Sequence, residues 1–216
     1  MPRRPRTASG GLLFHILNRG VRRHRVFDQA QDYRAFESLL GEAINKIAMR
    51  LLVYCLMPNH WHLVVWPADS QELSKFMHWL TLTHTQRWHA AHGTGGTGSL
   101  YQGRYKSFPI QNGFHFFTVC RYVERNAVRA GLVERAEDWP WSSLARRCKN
   151  CQDNWLSDWP VPRPIDWLEL VNRPENLTEL TALREAVKRG SPFGDQAWTC
   201  STATQLGLQS ALRVRG

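Results

Sequence analysis

The period of apolar and polar positions changes several times along the chain. Gly11 to Gly20, written GLLFHILNRG, is an apolar run closed by an Asn-x-Gly turn signal and reads as a strand. From Asp28 to about Met49, Tyr33, Phe36, Leu39, Leu40, Ala43, Ile44 and Ile47 recur at spacings of three and four, which predicts an amphipathic helix capped near Asp28 or Gln29. Leu51 to Met57 and His60 to Trp66 read as two short strands joined by Pro58-Asn59, which is turn chemistry. Ser70 to about Ala91 is helical again, with Leu73, Phe76, Met77 and Leu80 on one face. The glycine-rich stretch His92 to Ser99 ends it, and lacks the lysine and the preceding strand of a phosphate-binding loop. Tyr105 to Gln111 is a further strand and Phe114 to Ala130 a third helix. Strand, helix, strand, strand, helix, strand, helix is the split βαβ order of an α+β ferredoxin-like sandwich. The expected architecture is an antiparallel sheet with helices on one face.

After about Asp138 the texture becomes irregular, with Trp139-Pro140-Trp141, Trp155, Trp159-Pro160 and Pro162-Arg163-Pro164 among polar residues. Leu177 to Lys188 and Ala203 to Leu212 are predicted as short helices, a pair that loosely resembles a helix-turn-helix. The expected organisation is a domain over residues 1–145 with a basic N-terminal arm, and an extension over residues 146–216.

Composition narrows the class. In 216 residues, 43% are hydrophobic and 11% aromatic, enough for a packed core, with most of the ten tryptophans expected inside it. No apolar run approaches the roughly 20 residues of a membrane span, and no apolar segment follows the basic start, so a soluble cytoplasmic protein is expected. The five cysteines, Cys55, Cys120, Cys148, Cys151 and Cys200, are an odd number without a second pair at metal spacing, and read as reduced thiols. Net charge is +10, and before the first carboxylate at Asp28 stand Arg3, Arg4, Arg6, Arg19, Arg22, Arg23 and Arg25. Arginines grip phosphates bidentately and release counterions on binding, so nucleic acid is the natural partner.

Candidate chemistry begins at CLMPNHWHLVV, residues 55–65. On a strand, His60 and His62 share one face while Trp61 and Leu63 take the other. Two imidazoles on one face can bind a divalent metal, although the pair alone is also compatible with two histidines whose nitrogens are satisfied inside the fold. The third helix supplies Tyr122 and Asn126 at i and i+4, a hydroxyl nucleophile and an amide that can present its oxygen to a metal. Taken alone, these two also fit a packed tyrosine and a helix-end asparagine.

Together, Met57-Pro58-Asn59 with His60-Trp61-His62, the stretch Tyr101 to Ser107, and Arg121 to Val133 resemble the Y1 transposase family, and within it the REP-associated tyrosine transposases related to IS200/IS605 elements. Asn18-Arg19-Gly20 and Asp138 to Ser143 are similar to that subgroup too, so the resemblance spans about the first 145 residues. It implies an HUH single-strand DNA endonuclease and strand transferase on a ferredoxin-like core, acting on REP-like hairpins. By position, His60 and His62 would be metal ligands, Tyr122 the nucleophile that forms a 5′-phosphotyrosyl link, and Asn126 the third ligand; the metal would be Mg2+ or Mn2+. Arg3, Arg4, Arg6, Arg19, Arg22, Arg23 and Arg25 would grip hairpin phosphates, with Arg104, Lys106 and Arg129 nearer the catalytic face. Where the family commonly has proline after the asparagine, this chain has Ala127.

Two other readings compete. Ferredoxin-like sheets also serve as non-catalytic modules that bind single-stranded nucleic acid, although such a module has no need of His-x-His and a facing tyrosine. Tyr101 or Tyr105 could be the nucleophile, but neither shares a helix with Asn126. A monomer is favoured over a homodimer.

Overall fold

The computed structural model describes residues 10–69, 71–149 and 155–213. In chain order the elements are β1 (Leu13–Arg19), α1 (Ala30–Ile47), β2 (Arg50–Met57), β3 (His60–Trp66), α2 (Glu72–His92), β4 (Lys106–Ile110), α3 (Phe114–Glu124), α4 (Asn126–Arg129), α5 (Ser143–Cys148), α6 (Trp167–Asn172), α7 (Leu177–Arg189), α8 (Gln196–Gln205) and α9 (Gln209–Leu212). The sheet has the order β2-β3-β1-β4 with every neighbouring pair antiparallel. This is the ferredoxin-like arrangement expected from the element order.

The expectation of helices on one face holds only for α1 and α2. Phe14, Ile16, Tyr54, Leu56, Trp61, Leu63 and Val65 face these two helices and pack with Phe36, Leu40, Phe76 and Leu80. On the other face, Leu13, Leu17, Val53, Cys55, Val64 and Phe108 pack under α3, α6 and α7. The cause is visible in β2, which is buried from Leu51 through Met57 without alternation. A strand apolar on both sides needs cover on both sides, and each fully buried large aliphatic or aromatic side chain contributes about 1.5–3 kcal/mol.

The residues after 138 close the edges of the sheet. Leu56 N–H donates to the Trp141 carbonyl at 2.9 Å and Ser157 N–H to that of Leu51 at 2.8 Å, along the free side of β2. On the free side of β4, Phe193 donates to Pro109 and accepts from Gln111, both at 2.9 Å. Trp167, Val171, Leu183 and Ala186 share one hydrophobic cluster with α3 and the sheet, so the two parts of the chain have a common core.

Two local readings shift. The third helix is broken at Arg125 into α3 and α4 even without a proline. The last predicted helix begins earlier, because the Asp195 side chain caps α8 by accepting from Trp198 N–H, and it stops before Gly207 at φ 65°. The next element, α9, is a single turn of four residues. The four described cysteines are free thiols, and Cys151 lies outside the described residues. Among the described residues no helix is long and apolar enough to cross a membrane.

Candidate active site

The β1–β3 register builds one wall of the site. Leu17 pairs with His62 and Arg19 with His60, and directly opposed residues share a face. His60 and His62 therefore project to the α3 side, as the strand period predicted, while Trp61 is fully buried on the α1–α2 side. The register also brings in a residue that the sequence reading passed over. His15 pairs with Val64, which makes it the diagonal neighbour of His62. It is completely buried, its Nε2 lies 2.8 Å from His62 Nδ1, and the two rings stack with centroids 5.0 Å apart. A polar ring in the middle of Leu13 to Leu17 was the available signal, but its meaning depends on a pairing 47 residues away.

Tyr122 comes down from α3 onto these rings. Its ring meets that of His62 edge-on with centroids 5.9 Å apart, and that of His15 at 6.1 Å. The Arg129 guanidinium lies 4.0 Å from the centre of the Tyr122 ring. It also donates to the Tyr122 carbonyl at 3.1 Å and is paired with Glu175 at 2.9 Å. Asn126 is buried, and its Nδ2 has no hydrogen-bond partner.

Burial sets the protonation of the histidines. It pushes His15 down to about 3 and His60 to about 4, the latter helped by the charges of Arg19 and Arg129. His62 is held well below the usual imidazole range, first by burial and then by His15 and His60. All three rings are neutral at pH 7, the form in which imidazole nitrogens coordinate metals.

The donor set fits a divalent metal. Asn59 Nδ2 donates to the Arg23 carbonyl at 3.3 Å, which turns its Oδ1 toward His60 Nδ1 at 2.6 Å. His60 must therefore carry its proton on Nδ1, leaving the Nε2 lone pair free. Among the described residues no three of His, Cys, Asp and Glu are gathered as a metal cluster. The Asn126 amide, whose oxygen and nitrogen exchange on a flip, has an unpartnered Nδ2 and is of a type that can present oxygen to a metal.

The basic residues fall into three groups. Arg22 and Arg23 are exposed on a loop whose Val26 and Phe27 N–H groups donate to the Pro58 carbonyl at 2.7 and 3.0 Å, beside the turn that leads into His60. Arg25 is also exposed there and pairs with Asp28 at 2.9 Å. Arg19, Arg104 and Lys106, with Leu17, Asn18 and Gln102, line a cleft of about 300 Å3 next to the histidine wall, where Arg19 pairs with His60 across β1 and β3. None of these three cations is paired with a carboxylate among the described residues. Arg129, by contrast, is turned inward onto Tyr122 and Glu175. Arg3, Arg4 and Arg6 lie outside the described residues. Tyr101 is buried on the opposite side of the sheet, its hydroxyl 2.9 Å from Trp61 Nε1 and 2.5 Å from His84 Nδ1, away from the histidine pair. All ten tryptophans are buried or half-buried, so they serve mainly as packing.

Comparisons with known proteins bear on the fold and the family. One solved structure, a REP-associated tyrosine transposase bound to a REP hairpin, is 19% identical, with a TM-score of 0.56 over 76% of this chain and 98% of that one. Another, from Deinococcus radiodurans R1 and provisionally designated a transposase, is 18% identical, with a TM-score of 0.40 over 57% of this chain and 96% of that one. No curated protein matches the chain. The family described as transposase IS200 like matches residues 9–126, which is more than half of the chain and includes His60, His62, Tyr122 and Asn126. The chain belongs to the Y1, IS200-like transposase family.

Proposed function

We propose that the protein is a metal-dependent single-strand DNA endonuclease and strand transferase that works on REP-like hairpins. The observation that carries this reading is the contact of the Tyr122 ring with His62 on the face of the sheet where His60 also projects. In the cleavage step the Tyr122 hydroxyl oxygen attacks phosphorus, the P–O3′ bond breaks, and the phenol proton passes to the leaving 3′ oxygen. The product is a 5′-phosphotyrosyl link and a free 3′-hydroxyl. Attack by the 3′-hydroxyl of another strand reverses the step, rejoins DNA and frees Tyr122, so no nucleotide cofactor is consumed. His60, His62 and Asn126 would hold Mg2+ or Mn2+, which supplies Lewis-acid stabilisation of phosphate charge when bound. Arg19, Arg104 and Lys106 hold phosphates next to the cut, and Arg22, Arg23 and Arg25 grip the hairpin. The hairpin as partner is supported by the REP-hairpin complex of the similar structure.

The chain acts as a monomer in this reading, because its nucleophile helix is tied to its own extension. Arg121 donates to the Arg173 and Pro174 carbonyls at 2.7 and 2.8 Å, Arg125 to those of Val171 and Asn172 at 2.9 and 2.6 Å, and Arg129 pairs with Glu175. The test is incubation with labelled single-stranded hairpin DNA from repeats flanking the gene, with Mn2+ or Mg2+, run on a denaturing protein gel. Wild type forms a metal-dependent covalent adduct and Tyr122→Phe forms none. Binding of the hairpin without cleavage or adduct in either metal overturns the enzyme and leaves a binding module.

A further inference from the structure

His15 is the residue in the site that neither the family motifs nor the proposed reaction uses. On both candidate ligands the same atom, Nδ1, faces a partner: Asn59 Oδ1 at 2.6 Å for His60, and His15 Nε2 at 2.8 Å for His62. For His60 the direction is settled, since an amide oxygen only accepts. For His62 either ring could donate. If His15 donates, neutral His62 carries its proton on Nε2 and has no lone pair left for a metal. If His15 accepts, His62 Nδ1–H donates and Nε2 is free, as on His60.

We infer that His15 is a positioning residue that accepts the His62 Nδ1–H bond and so fixes the ring and tautomer in which His62 binds a divalent cation. The inference rests on the reading of His60 and His62 as metal ligands. His15 is not a ligand through Nε2, because that atom is used on His62. Its other nitrogen, Nδ1, is buried without a partner, and when His15 accepts, that nitrogen carries its proton unbonded. Native folds seldom bury an unpaired N–H. The arrangement carries that orphan N–H as its cost, and in return supplies the acceptor by which metal-binding histidines are generally oriented. Tight packing holds the pair in register, with Phe108 edge-on to His15 at 4.9 Å and Tyr122 on another side.

The test measures Mn2+ binding by the purified full chain without DNA, from the electron paramagnetic resonance signal of free Mn2+. His15→Leu removes the acceptor, and its affinity falls about 10–100-fold. His15→Gln restores an oxygen acceptor and binds close to wild type. Equal affinity of wild type and His15→Leu overturns the role, as does a loss in His15→Gln as deep as in His15→Leu. If wild type binds no Mn2+, the metal site and this inference fall together, whereas a missing DNA adduct with Mn2+ binding intact strikes only the proposed chemistry. Independently of any variant folding, long-range 1H–15N spectra of the metal-free wild type locate the His62 proton. On Nδ1 it supports the inference, and on Nε2 it overturns it.

Discussion

His15, His60 and His62, with His84 on the other side of the sheet, are imidazoles that the fold keeps neutral by burial. Their folded pKa values lie below the ordinary 6.5, so between about pH 4 and 6.5 the unfolded chain binds protons that the folded chain refuses. Stability from these groups is complete above pH 6.5 and drains as pH falls, by up to about 1.4 kcal/mol per pH unit for each histidine. Urea unfolding of the metal-free protein followed in weakly buffered solution at pH 5.5 is expected to take up several protons, more than a variant with His84→Phe does. Uptake near zero would mean these rings are charged in the fold. The histidine pair could be read from the sequence because a strand period is local. His15 could not, because its partner is set by the β1–β3 register, and Asn59, visible as part of a turn, gained its role only when Arg23 fixed the direction of its amide.

At the scale of elements, two stretches of sequence that resemble the same family prove to touch. Glu124, at the end of α3, is fully buried, and burial raises its carboxyl above the usual range. It accepts from Ser143 Oγ of α5 at 2.6 Å and from Trp167 Nε1 of α6 at 2.7 Å. Ser142 caps α5, and Trp139 Nε1 donates to the Leu56 carbonyl at 2.8 Å. Helix α3, which carries Tyr122, is thus held by side chains as well as by packing. Glu124→Leu keeps most of the volume but strands the Trp167 N–H, and should cost about 1–3 kcal/mol in urea unfolding. Adding Trp167→Phe should recover part of that loss in a double-mutant cycle; strictly additive losses would show that the two do not interact. The element types of the sheet and first helices were legible because their periods are strong. The second covered face was latent in the unbroken apolar run of β2, whereas the start of α8 depended on a cap that lies ahead of the apolar positions.

At the scale of the molecule, the positive charge is divided between working and structural arginines. Arg104 and Lys106 are exposed around an uncountered cleft, while Arg121, Arg125 and Arg129 are bound to the segment 171–175. Replacing Arg104 and Lys106 with glutamine should flatten the dependence of log K on log salt for single-stranded DNA by about 0.7 per contact removed. An unchanged slope would place the DNA elsewhere. This division is invisible in the sequence, where every arginine counts alike, and it gives the extension a part in the catalytic fold.

The same attachment imposes an order of events on biosynthesis. The histidines and Tyr122 leave the ribosome well before the segment that anchors the three arginines of α3 and α4. That segment follows about fifty residues later, a few seconds at about 5–20 residues per second. Until then α3 and α4 lack their clasp, and β4 keeps an open flank until Phe193 follows, so the growing chain carries the histidines and Tyr122 before it can hold them in register. Under the proposed function, cleavage of DNA thereby waits for the segment 171–175 to emerge, and a chain terminated before it would contain the whole motif without the framework that holds it.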